Sequence, residues 1–420
     1  KSLSNVLKKN ITLFSRITNT LIKEKNIEDN WRKFPSPQFA RHLANDVEPK
    51  VVDALRNAVV ESYSKTSHRY YKLKAKWLGL KKLEIWDRNA PLPQANEKII
   101  SWAEARDIVT SAYVSFDIRM EKIILPFFEK GWIDAGTKPG KAPGAFSHPT
   151  VVNVHPYILL NYQGKKRDVM TLAHELGHGI HQSLASKQGE MLSNTPLTLA
   201  ETASVFGEML TFQKMLSETT NEISQKQLLA SKVEDMINTV VRQISFYDFE
   251  CRVHNERRNG ELTPIQIGKI WQDTSQESLG PSFRFMKGYE NFWAYVPHFI
   301  HSPFYVYAYA FGDCQKVLLE AGAEIGEVSL IGGGSRSRLW GQILASVLNR
   351  PLNRHEGSEL GPAQGAARLA MLAAGQGSLE QICTRPKISE VLEPQPSLVM
   401  HYQEKQEQYG KIYQSLEDFF

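Results

Sequence analysis

A chain of 420 residues, 42% of them hydrophobic, is long enough to bury a sizeable core in two or three domains. Its net charge of +5 is small for that length and its Lys and Arg residues are dispersed, which argues against a nucleic-acid partner; the densest basic run, Lys72 to Lys82, reads as one solvated helix face. Cys251, Cys314 and Cys383 lie far apart with no paired spacing, as expected in a reducing cytoplasm, and no apolar run is long enough to span a membrane. No signal-peptide pattern is read at the start, which is Lys1 rather than Met, as in a fragment.

In chain order, residues 1 to about 30 read as a polar helix with Leu3, Val6, Leu7, Ile11, Leu13 and Phe14 as its apolar positions, ended by Pro35 and Pro37. Residues 47–76 and 100–129 read as long amphipathic helices joined by a Pro-rich loop. From Gly131 to Gly164 glycine and proline are dense, and Val151–Val154 and Tyr157–Tyr162 read as short strands. Gly144, Ala145 and Phe146 could offer a sheet edge to a substrate backbone by strand addition, or belong to an ordinary hairpin.

Next comes Thr171-Leu172-Ala173-His174-Glu175-Leu176-Gly177-His178, a His-Glu-x-x-His motif. On a helix, residues i and i+4 share a face, so His174 and His178 can offer two imidazoles to one ion while Glu175 reaches a water beside it. That donor set suits a catalytic Zn2+ and reads as a metallopeptidase core. Val169, Met170, Leu172, Ala173, Leu176 and Ile180 give the helix an apolar face, and Gly177 and Gly179 imply close packing against it. The metzincin pattern fails, because its third His falls on Leu184 and its glycine on His181. His181 then reads as a group behind the ligands or as a core histidine.

The gluzincin alternative needs a carboxylate from a later helix. Pro196 opens one, which makes Glu201 the third ligand and lets Glu208, on the same face, orient an imidazole from behind; either could instead be a solvated helix carboxylate. A very long helix over about 225–259 and another from Pro264 to about Leu279 follow. Phe292–Tyr309 is dense in aromatics and includes His298 and His301. Such a segment can be core, but Tyr305 and Tyr309, at i and i+4, together with a histidine are what an oxyanion-holding site needs.

These stretches, with Gly140-Lys141-Ala142-Pro143-Gly144-Ala145-Phe146, Leu199-Ala200-Glu201-Thr202-Ala203-Ser204 and Ser302-Pro303-Phe304-Tyr305-Val306-Tyr307, resemble the oligoendopeptidase F branch of the thimet-oligopeptidase-like zinc metallopeptidases over residues 1 to about 312. The resemblance implies a mainly α, gluzincin-like helical catalytic domain with a small β element. It also implies one Zn2+ on His174, His178 and Glu201, Glu175 as general base, and cleavage of short peptide substrates rather than folded proteins. The His/Tyr-rich segment would close over the transition state, with His298 and His301 both candidates. The family's N-terminal lobe and final helices have no counterpart in the chain as read.

Beyond about residue 312 the texture changes to a strand, a Gly-rich turn and a helix start over Glu327–Arg338, then a helix opening at Gly361. This resembles the C-terminal part of a xylulokinase-type sugar kinase, an α/β segment of the actin/hexokinase-like kind, in which Gly332, Gly333 and Gly334 would lie against a nucleotide. Asp134-Ala135-Gly136-Thr137 matches a kinase phosphate turn only as a string, with no apolar strand before it. The expected organisation is therefore a peptidase domain over 1–312 and a partial kinase segment over 313–420. The rival expectations are an inactive chimera and a nucleotide-binding remnant without catalysis. The sequence leaves the oligomeric state open.

Overall fold

The computed structural model describes residues 2–92, 99–190, 193–310, 327–330, 338–357, 368, 371, 376–382, 384 and 386–400. Its elements in chain order are α1 (Ser2–Trp31), α2 (Phe39–Ala44), α3 (Pro49–Ser62), α4 (Ser67–Trp77), β1 (Leu83–Glu84), α5 (Trp102–Phe116), α6 (Met120–Glu129), β2 (Ile133–Asp134), β3 (Phe146–His148), β4 (Tyr157–Leu159), α7 (Lys166–Ala185), α8 (Leu197–Glu218), α9 (Glu222–Thr239), α10 (Val241–Arg257), α11 (Pro264–Leu279), β5 (Phe283–Arg284), α12 (His298–His301), β6 (Val328–Leu330), a helix Arg338–Leu348, β7 (Leu352–His355) and β8 (Ile388–Leu392). The fold is mainly α, followed by an α/β segment. No helix among the described residues is long and apolar enough to cross a membrane.

The chain divides into two compact units. The first comprises residues 1–99 and 196–323. Its core forms where α10 packs against α3, α9 and α11, and α1 lies along α10 and α11. Val52, Leu55, Tyr71, Ile244, Tyr247, Phe249, Trp271, Phe304 and Tyr307 are buried together there. α11 begins in a reciprocal Thr263/Gln266 capping box with Pro264 in its first turn.

Three of the expected long helices are each broken in two, for local reasons that periodicity does not register. Between α3 and α4 the Ser62 and Thr66 hydroxyls bond backbone carbonyls of Val59 and Ser62, competing with the helical ladder. Between α5 and α6 the Asp117 carboxylate accepts the Arg119 N–H at 2.8 Å, forming a turn. α9 and α10 part at Val240, within a run of β-branched residues that holds a helix weakly. The basic run also departs from expectation. α4 ends at Trp77, and the Lys74 side chain is fully buried rather than solvated. Its ammonium donates to Glu234 Oε2 at 2.5 Å and to the Arg88 carbonyl at 2.6 Å, and Tyr70 joins the same carboxylate at 2.6 Å. Burial lowers the Lys74 pKa against the pull of Glu234.

The second unit comprises residues 100–195 and 324–419. Its first sheet has the order β2-β4-β3, with β2 parallel and β3 antiparallel to β4. Val151–Val154 is a turn and not the expected strand. Thr150 takes a φ of +60°, the Val154 N–H returns to the Val151 carbonyl, and Val151 and Val154 face solvent, so no apolar face is there to bury. Asp134–Thr137 is the end of β2 and its loop. The carbonyls of Asp134, Gly136 and Leu160 all accept from the buried Lys141 ammonium at 2.8–2.9 Å. The second sheet, β6-β7-β8, carries Leu330, Ala345, Leu352 and Leu392 in a small core of its own.

α7 packs against α5, α6, β3 and β4 through Val169, Leu172, Ala173, Leu176 and Ile180. At Gly179, a Cβ would lie 2.8 and 2.9 Å from Phe127 ring atoms and 3.3 Å from Ile158 Cδ1. Gly179→Ala should therefore destabilise the fold by a net of up to ~2 kcal/mol, an overpacking cost of ~1–3 less the ~1 that alanine returns in helix propensity. Urea unfolding of the variant beside the parent measures this.

Candidate active site

The two histidines of the motif are placed by the start and the packing of α7. The Asp168 carboxylate accepts the N–H groups of Gln163 at 2.8 Å and Lys165 at 3.0 Å, ordering the turn that enters the helix. One turn above, the Tyr113 hydroxyl donates to the Ala173 carbonyl at 2.9 Å. The His174 and His178 rings then stand edge to face with centroids 4.8 Å apart, as their i, i+4 spacing requires. Glu175 is buried beside them, 5% exposed. His181 is half-buried further along the helix, and burial lowers its pKa.

Gly144, Ala145 and Phe146 lead into β3, which ends the sheet on one side among the described residues. The Asn161 amide holds the Ala142 and Gly144 carbonyls at 3.0 and 3.1 Å, and Ser147 Oγ donates to Gln182 Oε1 on α7 at 2.8 Å. Phe146 opens the strand opposite Leu159 and is half exposed.

Glu201 lies in the first turns of α8, capped by Pro196, with its side chain 2% exposed. A carboxylate at that depth needs donors or a cation. The Tyr305 hydroxyl donates to Oε1 at 2.8 Å, and the Ser204 hydroxyl, which bonds the Glu201 carbonyl at 2.8 Å, also lies 3.2 Å from Oε2. Tyr305 in turn stacks on His298, with centroids 5.3 Å apart, and meets Tyr309 edge-on at 5.1 Å. Burial, then Tyr309 and Glu201, push the Tyr305 phenol far above its ordinary range, so it stays a donor. Burial, then the neighbouring His301, hold the His298 pKa down. His301 itself is exposed. Glu208 accepts from the Lys232 ammonium at 3.4 Å.

His174 and His178 offer two imidazoles from one face of α7, and Glu201 offers a buried carboxylate on α8. Two imidazoles and a buried carboxylate already bonded by a phenol fit a borderline divalent cation by donor chemistry. Gly332, Gly333 and Gly334 lie outside the described residues.

One part of this surround has no motif in the sequence. Phe304 has a φ of +59°, a left-handed conformation that costs a non-glycine residue roughly 1–2 kcal/mol. Its N–H donates to Glu250 Oε1 at 2.8 Å, and its ring lies 4.7 Å from the His254 ring. The one available clue is that Glu250 falls on α10 at i+4 from Phe246 and i−3 from Val253, both buried. Burial pushes the Glu250 carboxyl up to about 8, opposed by the Phe304 N–H and Arg41. Burial also pulls His254 down to about 3, helped by Lys25 and Arg258.

A raised carboxyl pKa favours the folded state below the unfolded value and loses that contribution as pH rises through the folded one. For Glu250 the window runs from the ordinary 4.5 to about 8. Glu250→Gln should flatten it, making the variant more stable than the parent near pH 8.5 by up to about 1.4 kcal/mol per pH unit of the window, with the advantage vanishing below about pH 4.5. Urea unfolding at the two pH values checks the sign.

Residues 4–319 match the model of peptidase family M3. The chain belongs to that family. Residues 281–374 also match the C-terminal domain of the FGGY family of carbohydrate kinases, so the two matches overlap over 281–319. Among M3 relatives, oligopeptidase PepF of Bacillus subtilis (strain 168) is 28% identical over 293 residues, which are 69% of this chain and 43% of that protein. The chromosomal oligoendopeptidase F of Lactococcus lactis subsp. cremoris is 28% identical over 301 residues, 71% of this chain and 49% of that protein. The chain thus spans about half the length of these relatives. The crystal structure of oligoendopeptidase-F from Enterococcus faecium shares the fold at a TM-score of 0.53 and 21% identity, covering 76% of this chain and 51% of that one.

Proposed function

We propose that the chain carries the catalytic part of a zinc-dependent endopeptidase that hydrolyses internal bonds of short peptides. The observation that carries this reading is the His174/His178 pair standing together on α7 with Glu175 buried beside it. The M3 family match and the oligopeptidase names of the relatives support it.

His174 and His178 would hold the cation through neutral imidazoles and Glu201 through its carboxylate. When bound, the cation supplies Lewis acidity and acidifies water. Glu175 takes the proton of the attacking water and hands it to the leaving amine. Tyr305, still protonated at neutral pH, would turn its one O–H from Glu201 to the developing oxyanion, with the His298 ring stacked on it as the partner histidine. The β3 edge, entered through Gly144, Ala145 and Phe146, holds the peptide backbone by strand addition.

In this reading residues 1–312 form the peptidase part and residues 313–420 a partial sugar-kinase segment. The FGGY match and the β6-β7-β8 sheet favour that origin for the tail. About a hundred residues without the other half of a kinase cannot perform phosphoryl transfer alone.

The full chain should cleave an internally quenched peptide of mixed sequence, and a chelator should abolish the cleavage until Zn2+ is restored. Hydrolysis indifferent to the chelator, or none in a folded, metal-replete chain, rules the reading out. Tight ATP binding by calorimetry without metal-dependent hydrolysis would favour a nucleotide-binding remnant instead.

A further inference from the structure

Resting on the peptidase reading, we propose that Glu250 is a positioning residue: its buried carboxyl pins the Phe304 N–H, and so holds the turn before Tyr305 in the shape that delivers the phenol to Glu201. Phe304 adopts its left-handed φ of +59° with its side chain wholly buried. The rings of His254 and Tyr247 lie against it, at 4.7 and 6.1 Å between centroids. A conformation this unfavourable persists only where its surroundings enforce it.

Two contacts hold the turn. Glu250 Oε1 accepts the Phe304 N–H at 2.8 Å, and Arg41 Nε on α2 donates to the Pro303 carbonyl at 3.1 Å. The Tyr305 N–H closes the turn on the Ser302 carbonyl at 3.1 Å. One residue after the pin, the Tyr305 hydroxyl meets Glu201 at 2.8 Å and the ring stacks on His298. Returning Phe304 to a negative φ would swing the following side chain off both.

The second Glu250 oxygen is buried without a hydrogen-bond partner among the described residues, and no ion pair engages it there. Burial raises the carboxyl pKa, and its protonated form still leaves one oxygen to accept. What the turn requires of position 250 is an acceptor for the Phe304 N–H. An amide supplies that, and an alkyl group of similar volume does not.

The test uses the full chain and the variants Glu250→Gln and Glu250→Leu, with folding checked by circular dichroism. In Glu250→Leu, deuterium exchange over residues 302–307 should quicken at least about tenfold while α11 exchanges as in the parent. Its kcat for the quenched peptide should fall about 10- to 100-fold, with KM changed less than about threefold. Glu250→Gln should stay within about threefold of the parent in exchange and in kcat. Parental exchange and kcat in Glu250→Leu overturn the proposal, and so does a Gln variant as impaired as the Leu variant. If Glu250→Leu does not fold, the parent decides: a Phe304 amide that exchanges like an exposed turn overturns the proposal, and a protected one supports it. An inactive parent that keeps the protection supports the pin and sinks the peptidase reading instead, so the two failures are told apart.

Discussion

Glu175→Gln should lower turnover of a quenched peptide by about 10²–10⁴-fold while leaving metal uptake intact, the range associated with losing a positioned general base. The substitution keeps the shape of the side chain and removes its capacity to take a proton. Glu175 is buried at the centre of α7, one position after a proposed ligand, so the amide fits the same space without moving the histidines. Metal content by mass spectrometry should match the parent at equal protein concentration. A variant that hydrolyses at the parental rate would show that another group handles the proton. Loss of metal and turnover together would mean that the carboxylate holds the cation.

The second large effect is expected at Glu201, where Glu201→Ala should weaken metal retention by more than the 10–100-fold that loss of a supporting group around a metal typically costs. The carboxylate is buried and receives the Tyr305 hydroxyl, so its removal leaves that donor without its acceptor, while Ser204 keeps the Glu201 carbonyl. Peptide hydrolysis should fall with metal occupancy and recover partially at high Zn2+. Dialysis against a weak chelator, followed by metal analysis, separates this variant from Glu175→Gln, which loses turnover and keeps its metal. A Glu201→Ala chain that retains the cation like the parent would remove Glu201 from the ligand set.

Much of the site was legible because its chemistry is written at short range. The His174/His178 spacing, the apolar stripe of α7 and the need for close packing at Gly179 follow from helix geometry, and the structure realises each. Pro196 marked the start of α8, and the Tyr305 and Tyr309 rings meet edge-on although Tyr305 lies in the turn before the helical residues. What misled was also local in kind. Periodicity joined α9 to α10 and α3 to α4, because hydroxyls competing for carbonyls and a β-branched run alter the chain without altering its apolar pattern.

By itself, the amino-acid order determined which helix carries the two imidazoles, which later helix carries a carboxylate and which segment is dense in aromatics. Each of those follows from residues within a few turns of one another. Only the tertiary structure decided that Lys74 is buried against Glu234, and that Glu250 bonds an amide 54 residues away to hold Phe304 in a strained turn. Those pairings depend on which groups lose their water together. Desolvation is set by packing between distant parts of the chain, and it leaves no periodic trace in the sequence.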